Sequence, residues 1–177
     1  MKKLLLSLTF VGLALIVQAQ SNPIDAMFNK YSEKEGFTVV SISSKMLGMF
    51  ANHDAESKDA DNIISRLKSI KILSVEDSTL NIKLNFYSEL AKRLDMSVYE
   101  ELMTVKEGPD ITKFLIRQTG NTISELLVIT GGPGGNSLIS IKGDLDMKKI
   151  STLSDQIGIK DLKGLEKIDD KSQKNKK

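Results

Sequence analysis

The sequence of 177 residues lacks cysteine and tryptophan and contains a single histidine, His53. Without cysteine the chain forms no disulfide, no thiolate nucleophile, no cysteine-ligated zinc site and no iron–sulfur cluster. One histidine excludes a multi-histidine metal centre, and a histidine-based hydrolytic triad would have to use His53. A disulfide-free fold must be stabilised by its core, and a chain of this length buries about 70% of its unfolded surface.

Neither sign of charge is in marked excess, because 25 Lys and Arg face 23 Asp and Glu. Removing Lys2 and Lys3 with an N-terminal leader leaves as many basic as acidic side chains, so the charge balance predicts no nucleic-acid partner. Hydrophobic residues make up 40% of the chain and charged residues 27%, as in ordinary globular proteins. We therefore expect one domain, over residues 20–168.

The N-terminal segment has the pattern of a secretory signal peptide. Lys2 and Lys3 precede an apolar run over Leu4–Val17, and small residues follow it. This run is shorter than the roughly 20 residues that span a bilayer core. We predict a signal peptide over residues 1–19 that is cleaved after Ala19, which gives a periplasmic or secreted protein. The alternative, a permanent membrane anchor, fits the cleavage-site residues less well.

The first half of the mature chain alternates between helical and extended patterns. Asn22 and Pro23 predict the start of a helix. Phe37–Ser43 is rich in β-branched residues and apolar on parts of both faces, which predicts a strand inside a sheet. A helical pattern through Ile63–Ile70 and a short strand over Lys71–Val75 follow. We predict a strand–helix–strand unit with parallel strands.

The second half predicts a helix over Thr79–Leu94, although Leu80–Leu84 also alternates and could be extended instead. Extended segments separated by glycine-containing turns follow. The predicted strands are Tyr99–Lys106, Ile111–Gln118, Ile123–Thr130 and Leu138–Lys142. Short connections require antiparallel neighbours, so these strands form a four-strand meander. A last helix is predicted over Met147–Ile157, and residues 169–177 form a basic, disordered tail.

The expected architecture is α+β: a mixed sheet holding the strand–helix–strand unit and the meander, with helices mainly on one face. The other sheet face would then be partly exposed to water. Residues expected to face solvent are Ser41, Lys113, Arg117 and Glu125.

Two polar segments have both a structural and a functional interpretation. The glycine-rich loop Gly131–Asn136 could cradle phosphate, but it joins two strands and does not open a helix, which favours a mobile hairpin tip. The acidic stretch Asp54–Asp61 could supply oxygen ligands to calcium, but it lacks the spacing of an EF-hand loop, and a helix start explains it more simply.

No pattern predicts a catalytic, cofactor-binding or metal-binding residue. Glu100 and Glu101 are neighbours on a predicted strand, so their carboxylates point to opposite faces. His53 lacks a nucleophile-elbow serine of the G-x-S-x-G type.

The apolar segment Met46–Phe50 is the candidate contact for a partner protein. Met46, Met49 and Phe50 carry side chains that adapt to varied apolar surfaces. The alternative is that the same residues complete the hydrophobic core.

Several segments together resemble a known family. They are F-T-V-V-S-I-S-S-K-M-L at Phe37–Leu47, I-K-I-L at Ile70–Leu73, Y-E-E-L-M at Tyr99–Met103, and I-S-I-K-G-D-L-D at Ile139–Asp146. With the signal peptide, they resemble a domain-of-unknown-function family, numbered four-two-five-two, of small secreted Bacteroidetes proteins. The resemblance covers nearly all of the mature chain. It implies no activity and no functional residue.

We therefore expect an exported, non-catalytic domain of the bacterial cell envelope that binds an envelope protein or another envelope component. The alternative is a small envelope hydrolase or carbohydrate-active enzyme whose acidic residues converge only in three dimensions. Carriage of a small apolar ligand would require a cavity between sheet and helices.

Overall fold

The structure, a computed structural model, describes residues 22–53, 63–120 and 122–145. Its helices are α1 (Pro23–Tyr31), α2 (Ser44–His53), α3 (Ile63–Arg66), α4 (Ser78–Lys83), α5 (Phe86–Ala91) and a 3₁₀ turn over Met96–Val98. Its strands are β1 (Phe37–Ser43), β2 (Leu67–Val75), β3 (Glu100–Glu107), β4 (Asp110–Thr119), β5 (Thr122–Gly131) and β6 (Ser137–Leu145).

The six strands form one sheet in the order β1-β2-β6-β5-β4-β3, and every neighbouring pair is antiparallel. The expected α+β class is correct, and β3 to β6 form a meander whose strand ends differ by a few residues from the predicted ones. The prediction that β1 and β2 are parallel is wrong. Because Ser43 pairs with Ser69, the segment between the strands leaves and re-enters at one end of the sheet and does not cross it.

The position of β1 also differs from the prediction. An inner strand was expected, but β1 lies at an edge, and Val40 is 38% exposed. The apolar residues that suggested an inner position contact two different hydrophobic clusters. Val39 packs against one hydrophobic cluster and Ile42 against the other.

Both faces of the sheet are buried. Face A carries Leu73, Leu115, Leu127 and Leu138 and packs against α1, α4 and α5. Face B carries Ile70, Phe114, Val128 and Ile139, and it contacts Leu47 of α2 and Ile64 of α3. The expectation of helices mainly on one face with a wet opposite face is therefore wrong. Its physical cause is visible in β5, where Leu126 to Ile129 are all fully buried, on both faces.

The predicted helix over Thr79–Leu94 is divided in two. Leu84 is extended, and the side chain of Asn85 accepts a hydrogen bond from the backbone N–H of Ser88, which caps α5. The capping asparagine thus starts a new helix, so the apolar residues of Thr79–Leu94 do not form one continuous helical stripe. The segment Met46–Phe50 is part of the helix α2.

Several predictions lie outside the described residues. They concern the signal peptide over residues 1–19, the acidic stretch Asp54–Asp61, the last helix over Met147–Ile157 and the tail over residues 169–177.

The glycine-rich loop between β5 and β6 is anchored to the helices of face A. Asn136 is 3% exposed, and its Nδ2 donates hydrogen bonds to Asn81 Oδ1 and to the Gly132 carbonyl, each at 3.0 Å. Its Oδ1 accepts from the backbone N–H of Phe86 at 2.8 Å. The loop is therefore a packed connection, not the free hairpin tip that its composition suggested.

We predict that Gly131→Ala destabilises the fold, because an added Cβ would lie 2.7 Å from the backbone nitrogen of Tyr87. Overpacking of this kind costs about 1–3 kcal/mol. Gly135→Ala is the matched control, since nothing lies within 4 Å of its added Cβ. Urea unfolding of both variants checks this, and equal unfolding free energies would contradict it.

Candidate functional site

The candidate partner segment is exposed on α2. Met46 and Met49 are 47% and 60% exposed, whereas Leu47 is 4% exposed and packs in the face B cluster. Residues three apart share a helix face, so the two methionines form one outward surface while Leu47 fixes the helix to the sheet. Met46 and Met49 therefore do not complete the core. The side chains of Phe50 and His53 lie outside what the structure describes.

Glu100 and Glu101 do not form a catalytic pair. Glu100 accepts a hydrogen bond from Gln118 Nε2 at 3.0 Å, and Glu101 forms an ion pair with Lys113. Both carboxylates are therefore engaged by side chains of β4, as expected for residues on an exposed edge strand.

Glu125 is the main surprise, since it was expected to face solvent and its exposed fraction is 0%. Its Oε1 accepts a hydrogen bond from Ser140 Oγ at 2.7 Å, and its Oε2 accepts from Tyr99 Oη at 2.9 Å. The Nη2 atom of Arg117 lies 3.1 Å from the same Oε2. No short-range pattern indicates this burial, because Ser124 and Glu125 lie together before the apolar residues Leu126–Ile129.

Further charges extend this cluster toward α1. Lys142 Nζ lies 3.9 Å from Glu125 Oε1 and 4.0 Å from Asp25 Oδ2. Asp25 also pairs with Lys71 at 2.7 Å. A buried carboxylate is tolerated only when it is paired and hydrogen-bonded, and these donors meet that requirement.

Tyr99 keeps its proton in this cluster. Burial raises the pKa of Tyr99 well above its usual range, and the charge of Glu125 raises it further. The phenol therefore acts as a hydrogen-bond donor to Glu125 at all physiological pH values. Both carboxylate oxygens of Glu125 already accept hydrogen bonds from protein side chains, so the cluster has the chemistry of a structural, stabilising network.

The shifted carboxyl groups elsewhere have pKa values below their usual range. A hydrogen bond from Lys71 lowers the pKa of Asp25, and one from Lys113 lowers the pKa of Glu101. The other described carboxyl groups with a lowered pKa are Asp77, Glu89 and Asp95. These groups are ionised at neutral pH, which suits ion pairing and does not suit proton donation.

The described residues contain no group of three or more histidine, aspartate and glutamate side chains placed to hold a metal ion. No helix within them has the length and apolarity needed to cross a bilayer.

We predict that Glu125→Gln destabilises the protein by about 1.5–3 kcal/mol, because the buried amide cannot accept the hydrogen bonds of both Ser140 and Tyr99 as the carboxylate does. Glu100→Gln, at an exposed position on β3, is the control and should change stability by less than about 0.5 kcal/mol. Chemical unfolding at neutral pH measures both variants. An unchanged free energy of unfolding in Glu125→Gln would show that the charge is dispensable.

The ion pair of Asp25 should make stability depend on pH. Because its folded pKa lies below the ordinary 3.8, the pair contributes stability above pH 3.8 and loses it as the pH falls through the folded value. We expect Asp25→Asn to cost about 0.2–1 kcal/mol at neutral pH and progressively less below pH 3.8. The same substitution in a Lys71→Met background should cost less at neutral pH. A cost that does not change with pH would contradict the ion-pair origin.

Comparison with known proteins gives one match. No curated protein and no solved structure matches the chain. The sequence profile of the family described as "Domain of unknown function (DUF4252)" matches residues 31–153, which is more than half of the chain and spans all six strands. On this match the chain belongs to the DUF4252 family of domains of unknown function.

Proposed function

We propose that the protein is an exported, non-catalytic binding domain of the bacterial cell envelope that holds a partner protein on its α2–β1 surface. This surface is defined by Val40, Met46 and Met49. The observation that carries the proposal is the exposure of Met46 and Met49, at 47% and 60%, on a helix fixed to the sheet by Leu47.

The two methionines supply adaptable apolar contact. An unbranched thioether side chain conforms to different partner surfaces, and full burial of a methionine contributes about 1.5–3 kcal/mol. Val40 faces the same side of the sheet as Ile42, which packs against the cluster that contains Leu47. The exposed apolar atoms of α2 and β1 therefore lie on the same side of the sheet.

The two edges of the sheet differ in a way that favours β1 as a docking edge. β3 carries Glu100, Glu101, Lys106 and Glu107, and a bulge interrupts its register. Charges and bulges prevent unwanted strand pairing. β1 has neither, and within the described parts of the chain its only strand neighbour is β2. An extended, uncharged segment of a partner would fit this edge by strand addition.

The enzyme alternative has less support. A hydrolase or carbohydrate-active enzyme of the acidic type needs a carboxyl group that holds a proton at working pH. The shifted carboxyl groups of the described residues have lowered pKa values, and the buried Glu125 is already occupied by Ser140, Tyr99 and Arg117.

Export is the second part of the proposal. It is supported by the sequence pattern of Lys2, Lys3 and the apolar run Leu4–Val17, which together are typical of a signal peptide that is cleaved near Ala19. A periplasmic or secreted location then places the α2–β1 surface among envelope proteins.

We predict that the double variant Met46→Glu, Met49→Glu loses its envelope partner. Cells would express the full-length chain with its own N-terminal segment, and bound proteins would be captured after crosslinking and quantified by mass spectrometry. Burial of two carboxylates in an apolar contact should reduce capture about tenfold or more. Met96→Glu is the matched control, since Met96 is 40% exposed on the 3₁₀ turn away from this surface.

Circular dichroism and thermal melting would establish that all variants fold. A partner that is captured equally by wild type and by the double variant would contradict the assignment of the α2–β1 surface. Equal loss in Met96→Glu would show that capture depends on general surface hydrophobicity.

A further inference from the structure

The free edge of β1 has the composition of a strand that can pair with a further strand. Its residues, Phe37–Ser43, carry no charge, and their register with β2 is continuous. Thr38, Val40, Ser41 and Ser43 are exposed, so another chain can reach this edge. An uncharged, regular edge of this kind is a template for strand pairing.

The backbone groups that face this free edge follow from one hydrogen bond. The carbonyl oxygen of Gly36 accepts from the backbone N–H of Glu76 at 3.0 Å, which continues the register of β1 with β2. Backbone groups alternate in direction along an antiparallel strand, so Val40 also faces β2. The residues whose N–H and C=O groups face the free edge are then Phe37, Val39, Ser41 and Ser43.

A two-fold axis at Val40 pairs this edge with itself. In an antiparallel pair of identical strands centred there, Val39 lies opposite Ser41 of the second copy, and Phe37 lies opposite Ser43. Every edge-facing residue thus meets another edge-facing residue, as a hydrogen-bonded ladder requires. Val40 is the central residue of the strand, so only this register pairs the strand over its full length. The two exposed Val40 side chains would then pack against each other across the axis.

Charges beside the strand fit the same register. Glu35 lies two residues before the strand and Lys45 two residues after it, and both are exposed. The axis at Val40 therefore brings Glu35 of each copy next to Lys45 of the other. Neither side chain forms an ion pair within the described part of the chain. The neighbouring Lys34 instead lies over the ring of Tyr31, with its Nζ 5.0 Å from the ring centroid.

The other edge of the sheet favours a closed dimer over a filament. Pairing of β1 with β3 of the next copy would repeat without closing, but β3 is charged and its register is interrupted by a bulge. A two-fold axis through β1 leaves β3 at both outer edges. Because α2 packs on face B, the same axis places both α2 helices on one side of the joined sheet.

We propose that the partner of the α2–β1 surface is a second copy of this chain. The two copies pair antiparallel through β1 about an axis at Val40, so that their six-stranded sheets become one continuous sheet. This choice of partner rests on the proposed function, since it names the strand that adds to β1.

Sedimentation velocity tests the pairing, on protein purified from cells that express the full-length chain. We expect a wild-type dimer with a dissociation constant below about 100 µM. Val40→Lys and Val40→Glu each place two like charges at the axis, so each should weaken self-association about tenfold or more. An equimolar mixture of these two variants should form dimers again, because opposite charges then meet. A monomeric wild type, variants that self-associate like the wild type, or a mixture that stays monomeric would each overturn the proposal.

Charge reversal beside the strand tests the register. Glu35→Lys and Lys45→Glu should each weaken the dimer about two- to fivefold, and the double variant should regain wild-type affinity. Glu107→Lys makes the same charge change as Glu35→Lys on the exposed part of β3, so it is the matched control and should leave the affinity unchanged. Thermal melting establishes that each variant folds. A double variant as weak as the single ones, or an equal loss in Glu107→Lys, would refute the axis at Val40.

Failure of the dimer can be told apart from failure of the proposed function. A monomeric wild type would exclude a second copy as the partner, while the capture of other proteins through Met46 and Met49 would still report on the α2–β1 surface. Conversely, a dimer that depends on Val40 would support β1 pairing even if Met46→Glu, Met49→Glu captures as much envelope protein as the wild type.

Discussion

Burial of the sheet on both faces is the constraint on which the other features depend. Alternate residues of β4, β5 and β6 point into two separate hydrophobic clusters, and helices contact both. Glu125 of β5 is 0% exposed and has no water to solvate it. Glu125 therefore needs the hydrogen bonds of Ser140 and Tyr99 and the charge of Arg117. Lys142 and Asp25 extend the same cluster.

Because the central strands are covered, the exposed side chains lie at the margins of the sheet. One margin is the uncharged edge β1 with the exposed methionines of α2. Another is the end of the sheet where the β5–β6 loop packs over a row of hydroxyl side chains. The two margins differ in chemistry, since the first is apolar, whereas the second is polar and acidic.

Rigidity is built into the polar margin by backbone packing. Gly131 and Gly134 let the loop approach Asn85, Tyr87 and Asp110 more closely than a residue with a Cβ would. Asn136 then joins the loop to α5 and to Asn81 with buried hydrogen bonds. Glycines that suggest mobility in a sequence thus serve close contact here.

The sequence predicts local structure correctly where that structure depends on residues close together in the chain. The cap at Asn22, the helix α1, the glycine turns and the antiparallel meander of β3 to β6 all follow from short-range patterns. The direction of β2, the edge position of β1, the break before Asn85 and the burial of Glu125 do not. Each of these depends on which surfaces meet across the sheet, and short-range patterns do not specify that. Only the tertiary structure decides which faces are buried, and with them the places left for binding.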